Sequence, residues 1–316
     1  MIALVTGGAG FIGSHLVEKL VRDGHNIRVL DDLSTGNEAN LSPVRASIQF
    51  IEGSILDSRL MTQAMAGVEA VFHLAGKISV SESFELPAEY ERVNVHGTAL
   101  LLATARKAGV RQVILSSTCA VYGDAADLPI RETMPTKPLS PYARNKVAAE
   151  RLGYEAFLAG GPAFTALRYF NVYGARQNPR SAYSGVISRF AAALQEGERP
   201  VIYGDGSQTR DFIYVGDVVR ANLLAAQQRD RASAIYNVGT GRETSIGDLL
   251  LLMVDAARSV RTLGRVDNLK PEYKSRRADE ILRSAADVAL AKHALAFSAG
   301  TDLRTGLRHL AAALSL

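Results

Sequence analysis

Tyr142 and Lys146 stand four residues apart in the run Ser140-Pro141-Tyr142-Ala143-Arg144-Asn145-Lys146. Ser140 as N-cap and Pro141 at the first helical position open a helix there, which puts both side chains on one face. A phenol near pKa 10 is a poor base at neutral pH, but a neighbouring ammonium favours its phenolate. The pair is therefore a candidate general base with its charge partner. In isolation the same spacing describes an ordinary pair on a helix surface, so the rest of the chain has to decide.

A second group comes from Gly7-Gly8-Ala9-Gly10-Phe11-Ile12-Gly13, which follows the apolar run Ile2 to Thr6 and precedes a helical pattern. A glycine-rich turn between strand and helix lets backbone approach a pyrophosphate, whose charge is met by the free N-H groups of the helix N-terminus. Gly8, Gly10 and Gly13 give one register of the motif; Gly7, Gly10 and Gly13 give another. Asp31-Asp32 ends the next strand about 20 residues on, where a carboxylate binds ribose hydroxyls and repels a 2'-phosphate. The expected cofactor is NAD rather than NADP. Its positive nicotinamide ring would further favour phenolate at Tyr142.

Leu115-Ser116-Ser117-Thr118-Cys119-Ala120-Val121-Tyr122-Gly123 supplies the third group. Here the chain resembles the extended short-chain dehydrogenase/reductases, which carry a Ser or Thr four residues before Tyr-Gly. The resemblance makes Thr118 the hydroxyl that hydrogen-bonds the reacting oxygen, with Ser117 as fallback. Cys119 lies beside them, but no histidine sits in a motif that would activate it, so it reads as a small packed residue. His15, His25, His73, His96, His293 and His309 are scattered without metal-ligand spacing, and no metal is expected.

The likeness runs along almost the whole chain and is greatest to NAD-dependent UDP-glucose and UDP-N-acetylglucosamine 4-epimerases. It is carried by Phe72-His73-Leu74-Ala75-Gly76, Ser79-Val80-Ser81-Glu82-Ser83, Asn94-Val95-His96-Gly97-Thr98, Arg168-Tyr169-Phe170-Asn171-Val172-Tyr173-Gly174, and Gly204-Asp205-Gly206 with Arg210-Asp211-Phe212. What it implies is specific. Gly7, Gly10, Phe11, Ile12 and Gly13 would cradle the NAD pyrophosphate, and Asp31, Asp32, Ser34, Thr35 and Gly36 would surround a ribose. Ser54, Ile55, Leu74, Ala75, Gly76, Lys77, Asn94, Ser116 and Tyr169 would line the rest of the cofactor, beside Tyr142 and Lys146. Ser81 and Asn171 would approach the sugar or its phosphates, and Lys77, Thr118, Gly185, Val186, Ile202 and Tyr203 would also bind the substrate. Arg210 and Arg277 would clamp the diphosphate, as the guanidinium fork suits, and Glu280 would take the UDP ribose. Ser284, four positions further on, would border the sugar; being small, it would admit an N-acetyl group. Two departures stand out: Ser54 replaces a usual Asp facing adenine, and Ala278-Asp279-Glu280 replaces a usual Gly-Asp or Gly-Glu.

The expected reaction is inversion of C4 of a UDP-hexose through a transient 4-keto sugar, with UDP-N-acetylhexosamines as substrates and UDP-glucose and UDP-galactose beside them. A nucleotide-sugar 4,6-dehydratase starts with the same oxidation but has an Asp-Glu pair where this chain has Cys119 and Ala120. A UDP-glucuronate epimerase or decarboxylase is a second alternative, since one carboxylate contact redirects specificity. A non-catalytic NAD-binding sensor is a third, although it has little reason to retain Tyr142, Lys146 and Thr118 together.

Positioning these groups falls to an α/β fold. Short apolar runs at Ile2 to Thr6, Asn26 to Leu30, Gln49 to Glu52, Ala70 to Leu74, Gln112 to Ser116 and Ala163 to Arg168 read as strands. Helical patterns at Ile12 to Asp23, Ser58 to Ala66, Tyr90 to Ala108 and Pro141 to Ala159 lie between them. The pattern is that of a doubly wound parallel sheet of Rossmann type. After Asn171 the Gly and Pro punctuation thickens, and a smaller C-terminal α/β lobe is expected. A strand near Ala234 to Val238, a helix near Ser245 to Arg258 and a final helix at Leu303 to Leu314 complete the reading. Residues 1–171 with about 212–239 would bind NAD; about 172–211 with 240–316 would bind the UDP-sugar.

The 316 residues suffice for such a core without staples. A charge of +4 from 36 basic and 32 acidic residues, without a run of about five or six like charges, suits a nucleotide and lacks the basic stripe of a nucleic-acid binder. A single cysteine, no apparent signal peptide and no apolar stretch long enough for a membrane span point to the reducing cytoplasm. By resemblance, the apolar faces of Tyr90 to Ala108 and Pro141 to Ala159 would pair in a homodimer.

Overall fold

Runs such as Ala3-Leu4-Val5 and Val113-Ile114-Leu115 are apolar at every position, which a strand covered on both faces requires. In the computed structural model, which describes residues 1–177, 185–228, 233–260, 270–276 and 281–314, they form the centre of a parallel sheet. The chain begins β1 (Ile2–Thr6), α1 (Phe11–Arg22), β2 (Asn26–Asp31), β3 (Ile48–Glu52), α2 (Ser58–Met65), β4 (Ala70–His73), α3 (Val80–Glu85), α4 (Pro87–Glu91), α5 (Gly97–Lys107) and β5 (Gln112–Thr118). It continues α6 (Pro141–Leu158), β6 (Ala163–Tyr169), β7 (Asn171–Tyr173), α7 (Val186–Glu196), β8 (Val201–Tyr203), β9 (Thr209–Arg210), β10 (Phe212–Tyr214), α8 (Val215–Ala226) and β11 (Ser233–Val238). Last come β12 (Thr244–Ser245), α9 (Ile246–Ser259), β13 (Glu272–Lys274), α10 (Ala289–Leu295) and α11 (Leu303–Leu314).

The sheet has seven strands in the order β11-β6-β5-β4-β1-β2-β3. Along β1 the side chains alternate between its two faces. Ala3 and Val5 join Leu16 and Leu20 of α1 and Val218 and Ala225 of α8, whereas Leu4 joins Met61 of α2, Leu101 of α5 and Ala149 of α6. Helices on both faces make this the doubly wound Rossmann arrangement. Beyond β7 a separate core gathers Ile187 and Phe190 of α7, Leu249 and Met253 of α9, and Leu307 and Leu310 of α11 around Tyr173 and Phe212.

From β1 the strand order runs one way to β2 and β3 and the other way to β4, β5 and β6. The crevice at such a reversal, outside the carboxyl ends of the strands, is where open α/β sheets bind ligands. One expected element differs. The segment Tyr90 to Ala108 is not one helix, because a π turn at Arg92–His96 separates α4 from α5. The extra residue of that turn carries Asn94 toward the crevice, where its Oδ1 accepts from Lys77 N at 2.8 Å and its Nδ2 donates to Lys77 O at 2.9 Å.

Candidate active site

At the end of β1 the backbone turns through Gly7 with φ +71, and a methyl group there would lie 2.6 Å from Ala75 N. One on Gly13 would lie 2.1 Å from Gly7 O, and one on Gly10 3.2 Å from the same oxygen. Gly7, Gly10 and Gly13 thus form the turn itself, while Gly8 gives room to Val29, whose Cγ1 would lie 2.7 Å from a Cβ. Helix α1 opens at Phe11 on Gly10 as N-cap, with no side chain closing its first turn. Its first amides are therefore available to an anion.

Asp31 borders this turn. Burial pushes its carboxyl up, and the amides of Leu33 and Ala9, at 2.9 and 2.8 Å, pull it back down. Asp32 is exposed and accepts from Ser34 N and Oγ. Gly36 passes so close that a Cβ would lie 2.8 Å from Asp31 Oδ1, and Thr35 is exposed. Asn37 N and Asn40 Nδ2 both donate to Ala9 O, at 3.0 and 2.9 Å, and strap this loop to the glycine turn. Sequence reasoning missed these two asparagines. Ser54 Oγ accepts from Leu56 N, and Ile55 is buried against Gly97.

Across the crevice Ser140 caps α6 by accepting from Ala143 N at 3.1 Å, as its position predicts. Tyr142, on the first turn, faces Thr118 at the end of β5. Burial pushes the phenol up to about 12, with the Thr118 contact working the other way. Lys146 Nζ donates to Ser116 O at 2.8 Å. Burial lowers this ammonium to about 8, opposed by the charge of Glu150. Within the protein, burial outweighs the opposing Thr118 contact. Gly76 leaves open the space beside Lys146, where a Cβ would lie 3.8 Å from Nζ.

Ser117, the fallback, points away from this cluster. Its hydroxyl donates to the buried Glu150, which is paired with Arg168 at 2.6 Å. Alternation along β5 thus gives Ser116 and Thr118 to one side and Ser117 to the other. Tyr169 is buried, with its hydroxyl engaged by Asn222 and Ser116. Lys77 turns its ammonium to Glu89 at 3.0 Å and Glu82 at 3.7 Å. Cys119 packs on Val121, Tyr122 and Phe170, and burial lifts its thiol to about 12 in spite of the charge of Arg210 nearby. Leu74 and Ala75 are half-buried where β4 ends.

Beyond Arg210 lies a cavity of about 270 Å³ lined by Asn171, Val186, Ile202, Tyr203 and Arg210, together with Arg189, Val201, Gln208, Ile246 and Ile281. The first five were expected from sequence; Arg189, whose guanidinium lies 6.0 Å from the Tyr203 ring centre, was not. Gly185 caps α7 at its edge. Ser81 is exposed on α3, and Ser284 is 6% exposed beside the residues that bridge to Ile130. Arg277 and Glu280 lie outside the described residues. Asp211 is the other residue that sequence left without a task. It is fully buried and accepts from Thr240 N and Oγ1, Gly241 N and Ala286 N, which joins the cavity wall to the end of β11.

The profile of the NAD dependent epimerase/dehydratase family matches residues 3–239. The chain belongs to that family. A UDP-glucose 4-epimerase of Mycolicibacterium smegmatis is 40% identical over 319 aligned residues, covering 97% of this chain and 96% of that one. Among solved structures, the UDP-glucose 4-epimerase of Thermotoga maritima, crystallised with UDP-glucose, superposes with a TM-score of 0.90 at 38% identity, over 98% of this chain and 97% of the other. The UDP-N-acetylglucosamine 4-epimerase of Methanobrevibacter ruminantium M1, in complex with UDP-N-acetylmuramic acid, gives a TM-score of 0.91 at 34% identity, over 98% and 96%.

The cofactor of this epimerase/dehydratase chain is NAD, and the residues present fit it. The glycine turn leaves a cradle that side chains would fill, the open first turn of α1 meets a pyrophosphate, and Asp31 still has lone pairs for ribose hydroxyls. Among the described residues no helix is long and apolar enough to cross a membrane.

Proposed function

We propose that this chain is a UDP-sugar 4-epimerase that interconverts UDP-N-acetylglucosamine with UDP-N-acetylgalactosamine, and UDP-glucose with UDP-galactose. The observation that carries the reading is that Tyr142 and Thr118 are neighbours across the crevice, with Lys146 anchored on the Ser116 carbonyl and with Cys119 and Ala120 following Thr118. Two neighbouring hydroxyls are suited to grip one alcohol oxygen and move its proton. A dehydratase must also expel water from C5 and C6, and neither a thiol raised to about 12 nor an alanine serves that step.

In this reading Thr118 holds the C4 oxygen and Tyr142 takes its proton. NAD, when bound, would take the C4 hydrogen with its electron pair as hydride and would give it back. Lys146, anchored on Ser116 O, keeps its positive charge beside the site and favours phenolate at Tyr142. The 4-keto sugar then turns about the diphosphate and is reduced from its other face, with Tyr142 returning the proton. Arg210 and Arg277 hold the diphosphate while the sugar turns, Asn171 approaches the sugar or its phosphates, Val186, Ile202 and Tyr203 line the substrate cavity, and Glu280 takes the UDP ribose.

The small Ser284 and the fold shared with a UDP-N-acetylglucosamine 4-epimerase support the N-acetylated pair. The proposed division gives residues 1–171 with about 212–239 to NAD and about 172–211 with 240–316 to the UDP-sugar, in a cytoplasmic homodimer. Tyr154 and Leu158 expose apolar surface on α6, the helix expected to pair. The test is incubation of the NAD-loaded protein with each of the four UDP-hexoses, resolved by chromatography. The C4 epimer should appear with the total UDP-hexose conserved. No epimer from any of them, or a product lacking the elements of water, refutes the reading.

A further inference from the structure

Glu150 lies one helical turn beyond Lys146 on α6, is 4% exposed, and does not line the cavity beyond Arg210. Its Oε1 accepts from Ser117 Oγ at 2.5 Å and from Arg168 Nε at 2.9 Å, and its Oε2 accepts from Arg168 Nη2 at 2.6 Å. Ser117 and Arg168 are register partners on β5 and β6. One carboxylate therefore fastens α6 to two adjacent strands, within one residue of both Ser116 and Thr118. On its far side the Arg168 guanidinium lies 4.8 Å from the ring centre of Tyr122, whose hydroxyl donates to the buried Asn237.

We propose that Glu150 is a positioning residue for the Tyr142–Lys146 pair: it clamps α6 to the ends of β5 and β6 and provides the counter-charge that keeps Lys146 an ammonium in a buried site. The inference rests on the reading of Tyr142 and Lys146 as the groups that handle the proton. The surroundings of Lys146 make it specific. From its own helix come Tyr142 and Glu150; from β5, the Ser116 carbonyl; from β4, His73, held neutral between Thr6 and Thr98 and lowered to about 3 by burial and by the charge of Lys146. Gly76 and Asn94 close the remaining side without charge. Glu82 and Glu89, on α3 and α4, face Lys77 instead. Arg168 stands behind Glu150 and pairs with it at 2.6 Å. Glu150 is thus the anion that acts on Lys146 from within the packed core, and burial alone works to remove the lysine's proton.

The direction of one titration separates this role from a merely structural one. In NAD-loaded protein labelled with 13Cε-lysine, the Lys146 signal, assigned by its loss in Lys146→Met, is followed against pH. Glu150→Gln should lower its midpoint by roughly one to two pH units, and Glu150→Asp should restore most of that shift. Loosening of the fold would instead hydrate Lys146 and raise the midpoint. Should Glu150→Gln fail to fold, because it leaves Arg168 buried and unpaired, Arg168→Gln is compared with the Glu150→Gln/Arg168→Gln double variant, and the double should titrate lower. An unchanged or raised midpoint in the folded pair overturns the proposal. A lowered midpoint in a protein that epimerises no UDP-hexose would leave the clamp standing and remove the proposed function instead.

Discussion

The ammonium of Lys146 donates to the carbonyl oxygen of Ser116 at 2.8 Å, at the end of the strand that also presents Thr118 to Tyr142. The two members of the Tyr142–Lys146 pair are thereby held by successive inward-facing residues of β5, and each titrates in a buried setting that opposes its charged form.

A high-pH limit on activity follows. In the proposed reaction Lys146, lowered to about 8 by burial, favours a phenolate at Tyr142 only while it is protonated. The pH profile of kcat/KM should therefore bend downward near pH 8. In Lys146→Met the bend should disappear, with activity lower throughout the range. A wild-type profile that keeps climbing well above that point contradicts the assignment.

The same burial makes Lys146 a stability liability whose sign can be worked out. Its folded midpoint, about 8, lies below the unfolded value of 10.5. The unfolded chain therefore binds more protons between those values, and stability from this group rises with pH across that window. Below about pH 8 the full penalty applies, roughly 3 kcal/mol from the size of the shift. Above 10.5 both states are neutral and it is gone. Lys146→Met should be the more stable protein at pH 7 in urea unfolding, with the gain shrinking from pH 8 upward. A variant less stable than the parent at pH 7 would show that the Ser116 contact outweighs the burial.

Adjacent hydroxyls on β5 should separate catalysis from folding. Thr118→Val keeps the shape of the side chain and removes its oxygen, which also accepts from Ala120 N at 3.1 Å, so turnover should fall by roughly 100-fold or more with a stability cost of only about 1 kcal/mol. Ser117→Ala removes a hydrogen bond to the charged Glu150 and should cost about 1.5–3 kcal/mol of stability with turnover largely retained. The opposite pattern in a paired assay and denaturant titration would exchange the two roles.

Sugar choice is expected to respond at Ser284. Ser284→Tyr places a large ring at a position only 6% exposed. Conversion of the N-acetylated pair should drop relative to that of UDP-glucose and UDP-galactose. Equal relative rates on the two pairs would mean that the sugar is bounded elsewhere.

The parts of this site that sequence exposed are those whose physics is local. The glycine turn follows directly on β1, Ser140 and Pro141 start a helix within two residues of Tyr142, and Leu303–Leu314 has a clean apolar stripe. What sequence concealed depends on partners far apart in the chain. Glu150 and Arg168 sit on a helix and a strand. Asp211 takes its donors from residues 240, 241 and 286. The π turn at Arg92–His96 leaves the apolar pattern of its neighbours unbroken and shows only in what Asn94 reaches. Helices α7 and α8 escaped because each adjoins glycine and a very short strand, which reads as loop punctuation. The cavity wall from Val186 to Arg210 became legible only through resemblance, because Ile202 and Tyr203 resemble any other strand residues.

Replacing Tyr142 by Phe tests the account at its centre, since it removes one oxygen and leaves the ring packed. With NAD binding confirmed as intact, interconversion of UDP-N-acetylglucosamine and UDP-N-acetylgalactosamine should fall by at least about 100-fold relative to the parent. Interconversion at the parent's rate in that variant would contradict the account.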